Sequence, residues 1–210
     1  MTANLHVIDH PLMQHKLTLL RDKTLSTRGF RELTHEIGAL LAYEIMRDAP
    51  VREIEVDTPV GRARGVQLDG KKQVLVAILR AGLGVLDGML TTLPSARVGH
   101  VGLYRDPKLR TAVEYYLKLP AGMSERDAIV ISSVLATGGS AAAAVRRVQE
   151  SGARSVKFAC LIACPHGIEN FREQHPDVPI YTCAVDSDLD AKGFLVPGLG
   201  DVGDRLYGTQ

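Results

Sequence analysis

Neither sign of charge dominates this chain. Its 25 lysine and arginine residues stand against 24 aspartate and glutamate residues, a formal net charge of +1 over 210 residues. A protein whose main partner is a nucleic-acid backbone normally carries a basic domain or stripe, so that class is set aside. Long apolar runs are missing too. The longest, such as Gln73 to Leu79, fall far short of the roughly 20 residues that cross a bilayer, and no basic segment followed by an apolar one opens the chain. The expectation is a cytoplasmic protein with no membrane partner. Only three cysteines occur, Cys160, Cys164 and Cys183; they form no Cys-x-x-Cys pair, and an odd number cannot all be bridged. Cys160 and Cys183 lie in apolar, strand-like runs and read as buried, reduced thiols. No low-complexity linker, charge block or internal repeat divides the sequence, so one domain spanning residues 1–210 is expected.

What is present is ordinary in bulk and informative in order. Hydrophobic residues make up 45% and charged residues 23%, the balance of a soluble globular chain. At this length about 70% of the unfolded-chain surface can be buried. Ser26 is placed to cap a helix in which Phe30, Leu33, Ile37, Leu40 and Leu41 recur at helical spacing, ending before Ala49-Pro50. An earlier helix follows Pro11. Ile54 and Val56 then alternate with charges up to Pro59, and a second run covers Ala63 to Leu68, which predicts a solvent-facing edge hairpin.

From residue 73 the pattern changes to apolar runs of strand length. They are Val74 to Leu79, Val98 to Tyr104, Ala128 to Val134, Val156 to Ile162 and Ile180 to Val185, mostly separated by helical stretches. That alternation predicts an α/β fold with a parallel sheet covered on both faces. Ligands of such sheets bind beyond the carboxyl ends of the strands, so the residues that follow each run are the chemical candidates.

After the third run comes Leu135-Ala136-Thr137-Gly138-Gly139-Ser140, leading into an alanine-rich helix over Ala141 to Glu150. Two glycines allow an anion close to the backbone, two hydroxyls can donate to it, and the helix N-terminus adds free N–H groups. A phosphate fits there, although a plain tight turn would read the same way; no lysine follows the glycines, so this is not a nucleoside triphosphate P-loop. The first run delivers Arg80-Ala81-Gly82-Leu83-Gly84 and the second Tyr104-Arg105. Two guanidinium forks at one sheet edge can hold a doubly charged group, while either alone could be a surface ion pair. Gly82, Gly84 and Gly88 imitate a dinucleotide fingerprint, but the third glycine is displaced by one residue and an arginine opens the loop. Near the C-terminus, Phe194 to Arg205 holds three glycines and two aspartates in a stretch too irregular for a helix or strand. It reads as a shaped loop whose backbone can meet a small planar ring, with Asp201 beside the reacting atoms, or else as a capping tail.

Taken together, Ile78 to Gly84, Tyr104-Arg105, Leu135 to Ser140 and Pro197 to Arg205 with Tyr207-Gly208-Thr209 resemble the uracil phosphoribosyltransferase family, of phosphoribosyltransferase type I. His10-Pro11-Leu12 and the Phe30 to Leu33 helix resemble its N-terminus, so the likeness covers nearly the whole chain. The resemblance implies a phosphoribosyltransferase sheet with a β-hairpin flap over Asp106 to Lys118 and a C-terminal hood over the base. It implies transfer of ribose 5-phosphate from phosphoribosyl pyrophosphate (PRPP) to uracil, giving uridine monophosphate (UMP) and pyrophosphate. PRPP would be bound by Arg80, Arg105, Ser132, Ser133, Val134, Leu135, Ala136, Thr137, Gly138, Gly139, Ser140 and Asp201, and uracil by Leu195, Gly200, Asp201 and Val202. Catalysis would rest on Arg80, Arg105 and Asp201, with Mg2+ held mainly through the pyrophosphate of PRPP rather than by a protein cage. The family also implies a GTP effector and a homo-oligomer. One departure stands out: Ser132 and Ser133 occupy positions where the family has an aspartate, which contacts the ribose hydroxyls, and then a proline. Phe194 replaces the usual tyrosine. A non-catalytic nucleotide-binding protein on the same scaffold is the alternative that the missing carboxylate favours.

Overall fold

The computed structural model describes residues 4–105 and 112–209. In chain order the elements are β1 (Leu5–Val7), α1 (Pro11–Arg21), α2 (Thr27–Ile45), β2 (Val51–Thr58), β3 (Gly61–Leu68), β4 (Val74–Leu79), α3 (Gly82–Thr92), β5 (Arg97–Arg105) and β6 (Ala112–Lys118). There follow β7 (Asp127–Ile131), β8 (Val134–Leu135), α4 (Gly139–Glu150), β9 (Ser155–Ala163), α5 (Pro165–Gln174), β10 (Ile180–Val185), β11 (Asp188–Leu189), β12 (Leu195–Val196) and α6 (Val202–Tyr207). The main sheet has the order β1-β10-β9-β7-β4-β5-β6, with β8 also pairing β9. All of its pairings are parallel except β5 with β6.

Strand alternation divides the core into two layers. Leu75, Ala77, Ile129, Ile131, Ala159, Leu161 and Cys183 face α1, α2, α3 and α6. Val74, Val76, Ile78, Val130, Phe158, Cys160 and Ile180 face α4 and α5. Both faces of the central strands are therefore buried, which is why these strands read as continuous apolar runs. Cys160 and Cys183 fall in opposite layers, and burial pushes the Cys160 thiol up to about 12.

The α2 helix begins as its sequence predicts, with the Ser26 hydroxyl accepting from the Gly29 N–H at 3.2 Å. It crosses α3 at very close range. A Cβ on Gly88 would lie 2.0 Å from the His35 carbonyl oxygen, and one on Gly38 would lie 2.5 Å from that of Val85. Gly88 thus serves helix packing, which accounts for the fingerprint-like glycine spacing without a dinucleotide.

Four expectations need correction. The run Ala128 to Val134 is not one strand: β7 stops at Ile131 and β8 starts at Val134, and between them the Ser132 hydroxyl donates to the Val134 carbonyl while the Ser132 N–H and the Ser133 carbonyl keep backbone bonds to β9. The β2–β3 hairpin is a separate two-stranded sheet rather than an edge of the main one, although it does face solvent. Phe194 to Arg205 is not wholly irregular, since α6 starts at Val202 and β12 pairs with β11. Finally, α4 begins at Gly139, two residues before the expected helix. Of the flap, β6 runs antiparallel to β5, and residues 106–111 lie outside the described residues. Among the described residues no helix is long and apolar enough to cross a membrane.

Candidate functional site

The carboxyl ends of β4, β5 and β7 lie side by side, because Leu79 pairs with Gly102 and Ala77 with Ile131. This register brings the residues after three separate runs to one edge. Arg80 leaves β4 through a cis peptide bond with Leu79, and its side chain is half-exposed. Its guanidinium stands 3.8 Å from an Asp204 carboxylate oxygen and 5.8 Å from the centre of the Tyr207 ring. The Tyr207 hydroxyl donates to the Arg80 carbonyl at 3.2 Å. Burial pushes the Tyr207 phenol above its ordinary value, and nearby Asp87 adds to the shift, so the hydroxyl stays a donor.

The turn between β8 and α4 is held from below. Asn170 donates to the Thr137 carbonyl at 2.6 Å, and the Cys164 thiol donates to that of Ala136 at 3.1 Å. Gly138 caps α4 at φ 84°, a left-handed conformation, and a Cβ there would come within 2.9 Å of the Gly167 carbonyl. The carbonyls thus point into the protein and find donors. The N–H groups of Thr137 to Ala141 have no acceptor among the described residues, and Gly139 and Ser140 are exposed. A helix N-terminus with this many free donors on an open face is built for an anion.

The C-terminal segment comes off β10 and reaches back to Arg80. Gly198, at φ 66°, follows the cis bond between Val196 and Pro197. Leu195, Leu199 and Val202 are buried, which leaves Gly200 and Asp201 at the surface. Asp201 caps α6, its carboxylate accepting from the Asp204 N–H at 2.9 Å. Arg205 ties the segment down by donating to the carbonyls of Leu20, Leu199 and Asp22 while lying 4.2 Å from the centre of the Phe30 ring.

Comparison with known proteins decides which family the chain belongs to. The family model described as uracil phosphoribosyltransferase matches residues 7–209. The chain belongs to the uracil phosphoribosyltransferase family. It is 57% identical over 208 residues to a uracil phosphoribosyltransferase of Variovorax paradoxus (strain S110), covering 99% of this chain and all of that one. It is 58% identical over the same length to one of Rhodococcus jostii (strain RHA1). Among solved structures, the AQ2163 protein from Aquifex aeolicus superposes with a TM-score of 0.92 at 35% identity, covering 98% of this chain and 99% of that one. Adenine phosphoribosyltransferase from Trypanosoma brucei shares the fold at a TM-score of 0.59 and 12% identity, over 88% of this chain and 86% of that one.

At this sheet edge, Arg80 and the C-terminal segment meet directly, and a Cβ on Gly203 would sit between Asp201 and Arg80, 3.2 Å from the Asp201 carboxylate and 3.7 Å from the guanidinium. The turn Leu135 to Ser140 stands on the neighbouring strand end, and its side chains make no hydrogen bond to either among the described residues. Ser133 is buried, and its carbonyl accepts from Leu161; Ser132 is half-buried and bonded to Val134. The side chain of Arg105 lies outside the described residues. Sequence reasoning passed over Tyr207 as an anchor for Arg80, and Arg21 and Asp186 as anchors of the hood. The signal for α6 was present, an aspartate directly before an apolar residue and a second acid three positions on, but the surrounding glycines masked it.

Proposed function

We propose that this chain transfers ribose 5-phosphate from PRPP to N1 of uracil, releasing pyrophosphate and forming UMP. The observation that carries the reading is the junction at Arg80. The residue that opens the β4 loop is held against the C-terminal segment by the Tyr207 hydroxyl on its carbonyl, with its guanidinium free beside Asp204, so a diphosphate on Arg80 and a base on that segment would share one crevice. The uracil named by the family and by the relatives supports the choice of base.

In the reaction the bond from the anomeric carbon to the diphosphate oxygen breaks, the bond to uracil N1 forms, and the N1 proton leaves. Positive charge grows on the sugar while the leaving group gains negative charge, so the chain's task is chiefly positional and electrostatic. The free N–H groups of Thr137 to Ala141 and the hydroxyls of Thr137 and Ser140 hold the 5-phosphate. Arg80 and Arg105 draw charge from the departing pyrophosphate, and Leu195 with Gly200 to Val202 present backbone groups to uracil. Asp201, fixed by its cap bond through one oxygen, keeps its second oxygen without a donor among the described residues, available to the sugar or to the base proton.

Among the described residues no three or more His, Cys, Asp or Glu side chains gather into a metal cage. Magnesium carried on the diphosphate would supply charge neutralisation beside Arg80 and Arg105. A GTP effector, a homo-oligomer and residence in the cytoplasm belong to the same proposal and enter none of its steps. Incubation with labelled uracil, PRPP and magnesium tests the function: UMP and pyrophosphate should appear in equal amounts, and binding without product would establish the non-catalytic alternative.

A further inference from the structure

The C-terminal segment is gripped by one ion pair, its aspartate buried and its arginine a quarter exposed, that no substrate would need to touch. Asp186 directly follows β10 and is 5% exposed, while Arg21 ends α1. Their side chains meet in a two-pronged pair, Nη2 to Oδ1 at 2.6 Å and Nη1 to Oδ2 at 2.9 Å. The same groups continue to a single residue of the segment. Arg21 Nη1 donates to the Gly198 carbonyl at 2.9 Å, and the Gly198 N–H donates to Asp186 Oδ2 at 2.8 Å. Both backbone polar groups of Gly198 are therefore committed to this pair.

Gly198 is the pivot of the segment. A Cβ there would lie 2.0 Å from the Leu195 carbonyl oxygen, so the turn is tight as well as left-handed. Leu195 lies three residues before it and Gly200, Asp201 and Val202 follow at once. The pair itself rests on firm supports. The Asp186 N–H donates to Ala163 at the end of β9 at 2.7 Å, and α1 packs Met13, Leu17 and Leu20 into the core. A buried ion pair is a poor device for stability alone, since apolar residues of similar volume often serve as well. What a bidentate fork adds is direction.

We propose that Arg21 and Asp186 are positioning residues for base recognition: without touching uracil, they fix the path of the backbone between residues 195 and 202 that reads its polar edge. This rests on the assignment of that segment to uracil. Groups that must match a small ring need placement to within a fraction of an ångström, and an exposed glycine-rich loop does not hold that by itself.

Steady-state kinetics of Asp186→Asn and Arg21→Lys test the proposal. The first keeps the size and one acceptor but removes the charge that holds the fork; the second keeps the charge and removes the fork. KM for uracil should rise about tenfold or more in Asp186→Asn and about threefold or more in Arg21→Lys, while KM for PRPP stays within about twofold. The preference for uracil over cytosine should fall by a similar factor. A pair that only stabilises the fold would lower the thermal midpoint or kcat and leave the uracil KM alone, and a joint rise of both KM values would equally overturn the proposal. Gly200→Ala, which strains a left-handed position inside the segment, separates the two layers of the argument. An unchanged uracil KM in Gly200→Ala would reject the base site itself. A raised value there with none in the Arg21 and Asp186 variants would reject their positioning role. Should Asp186→Asn fail to fold, Arg21→Lys decides alone.

Discussion

At the scale of single residues, the account turns on Arg80 and Ser132. Arg80 has no strong side-chain partner, for Asp204 stands at 3.8 Å and the guanidinium is half-exposed, so its fork is free for an incoming anion. Arg80→Ala should fold normally and weaken pyrophosphate binding by tenfold or more, read by titration calorimetry; unchanged affinity in a folded variant would remove Arg80 from the site. Ser132 spends its hydroxyl on the Val134 carbonyl, at the position where the resemblance to the family implies a ribose-contacting carboxylate. A hydrogen bond to a charged group contributes about 1.5 to 3 kcal/mol, so Ser132→Asp should raise kcat/KM for PRPP on the order of 10 to 100-fold. The carboxylate must turn away from Val134 towards the crevice to do so. No gain, measured with saturating uracil and magnesium, would mean that the ribose is held by other groups.

At the scale of elements, the close crossing of α2 and α3 places the loop that begins with Arg80. Gly88→Ala would force a methyl against the His35 carbonyl, so it should destabilise the fold by about 1 to 3 kcal/mol or more in a denaturant melt. An unchanged midpoint would show that the helices separate without cost. The turn over Leu135 to Ser140 depends on α4, whose Ala142 carbonyl meets His175 Nε2 at 2.9 Å. Burial lowers the pKa of His175, and Arg146 adds to the effect. The unfolded chain therefore takes up a proton near pH 6.5 that the folded chain resists. This contribution is neutral above about pH 6.5 and costs stability as the pH falls through the window between the unfolded and folded values. His175→Gln should flatten that slope in melts between about pH 7 and 5, and an identical slope would contradict the burial argument. The sequence showed these elements well where its pattern was local. The bounds of β4 and β10 and the Ser26 cap follow directly from apolar runs and a capping residue. By contrast, β1 has three residues and exists only by pairing with β10, and β7 gives way to β8 inside one run, where the Ser132 hydroxyl turns to the Val134 carbonyl. No periodicity reports either.

At the scale of the whole molecule, a sheet buried on both faces brings residues from distant stretches of chain to one edge. That much was legible, because strand order is not needed to know that carboxyl ends share a side. What was not legible is the return of the chain. The C-terminal segment is tied back through Arg21, Asp186, Arg205 and Tyr207, whose partners lie up to 185 residues away in sequence. Such contacts leave no local signature. On the proposed assignment they turn a glycine-rich tail into a surface that would choose a base, because fixed backbone groups that suit uracil leave an unpaired polar atom against cytosine. One such group costs about 1 to 3 kcal/mol. The most direct measurement offers the protein labelled uracil and labelled cytosine in equal amounts, with PRPP and magnesium, and follows both nucleotide products. UMP should form at least about tenfold faster than the cytosine product, whereas equal rates, or no UMP at all, would contradict the account.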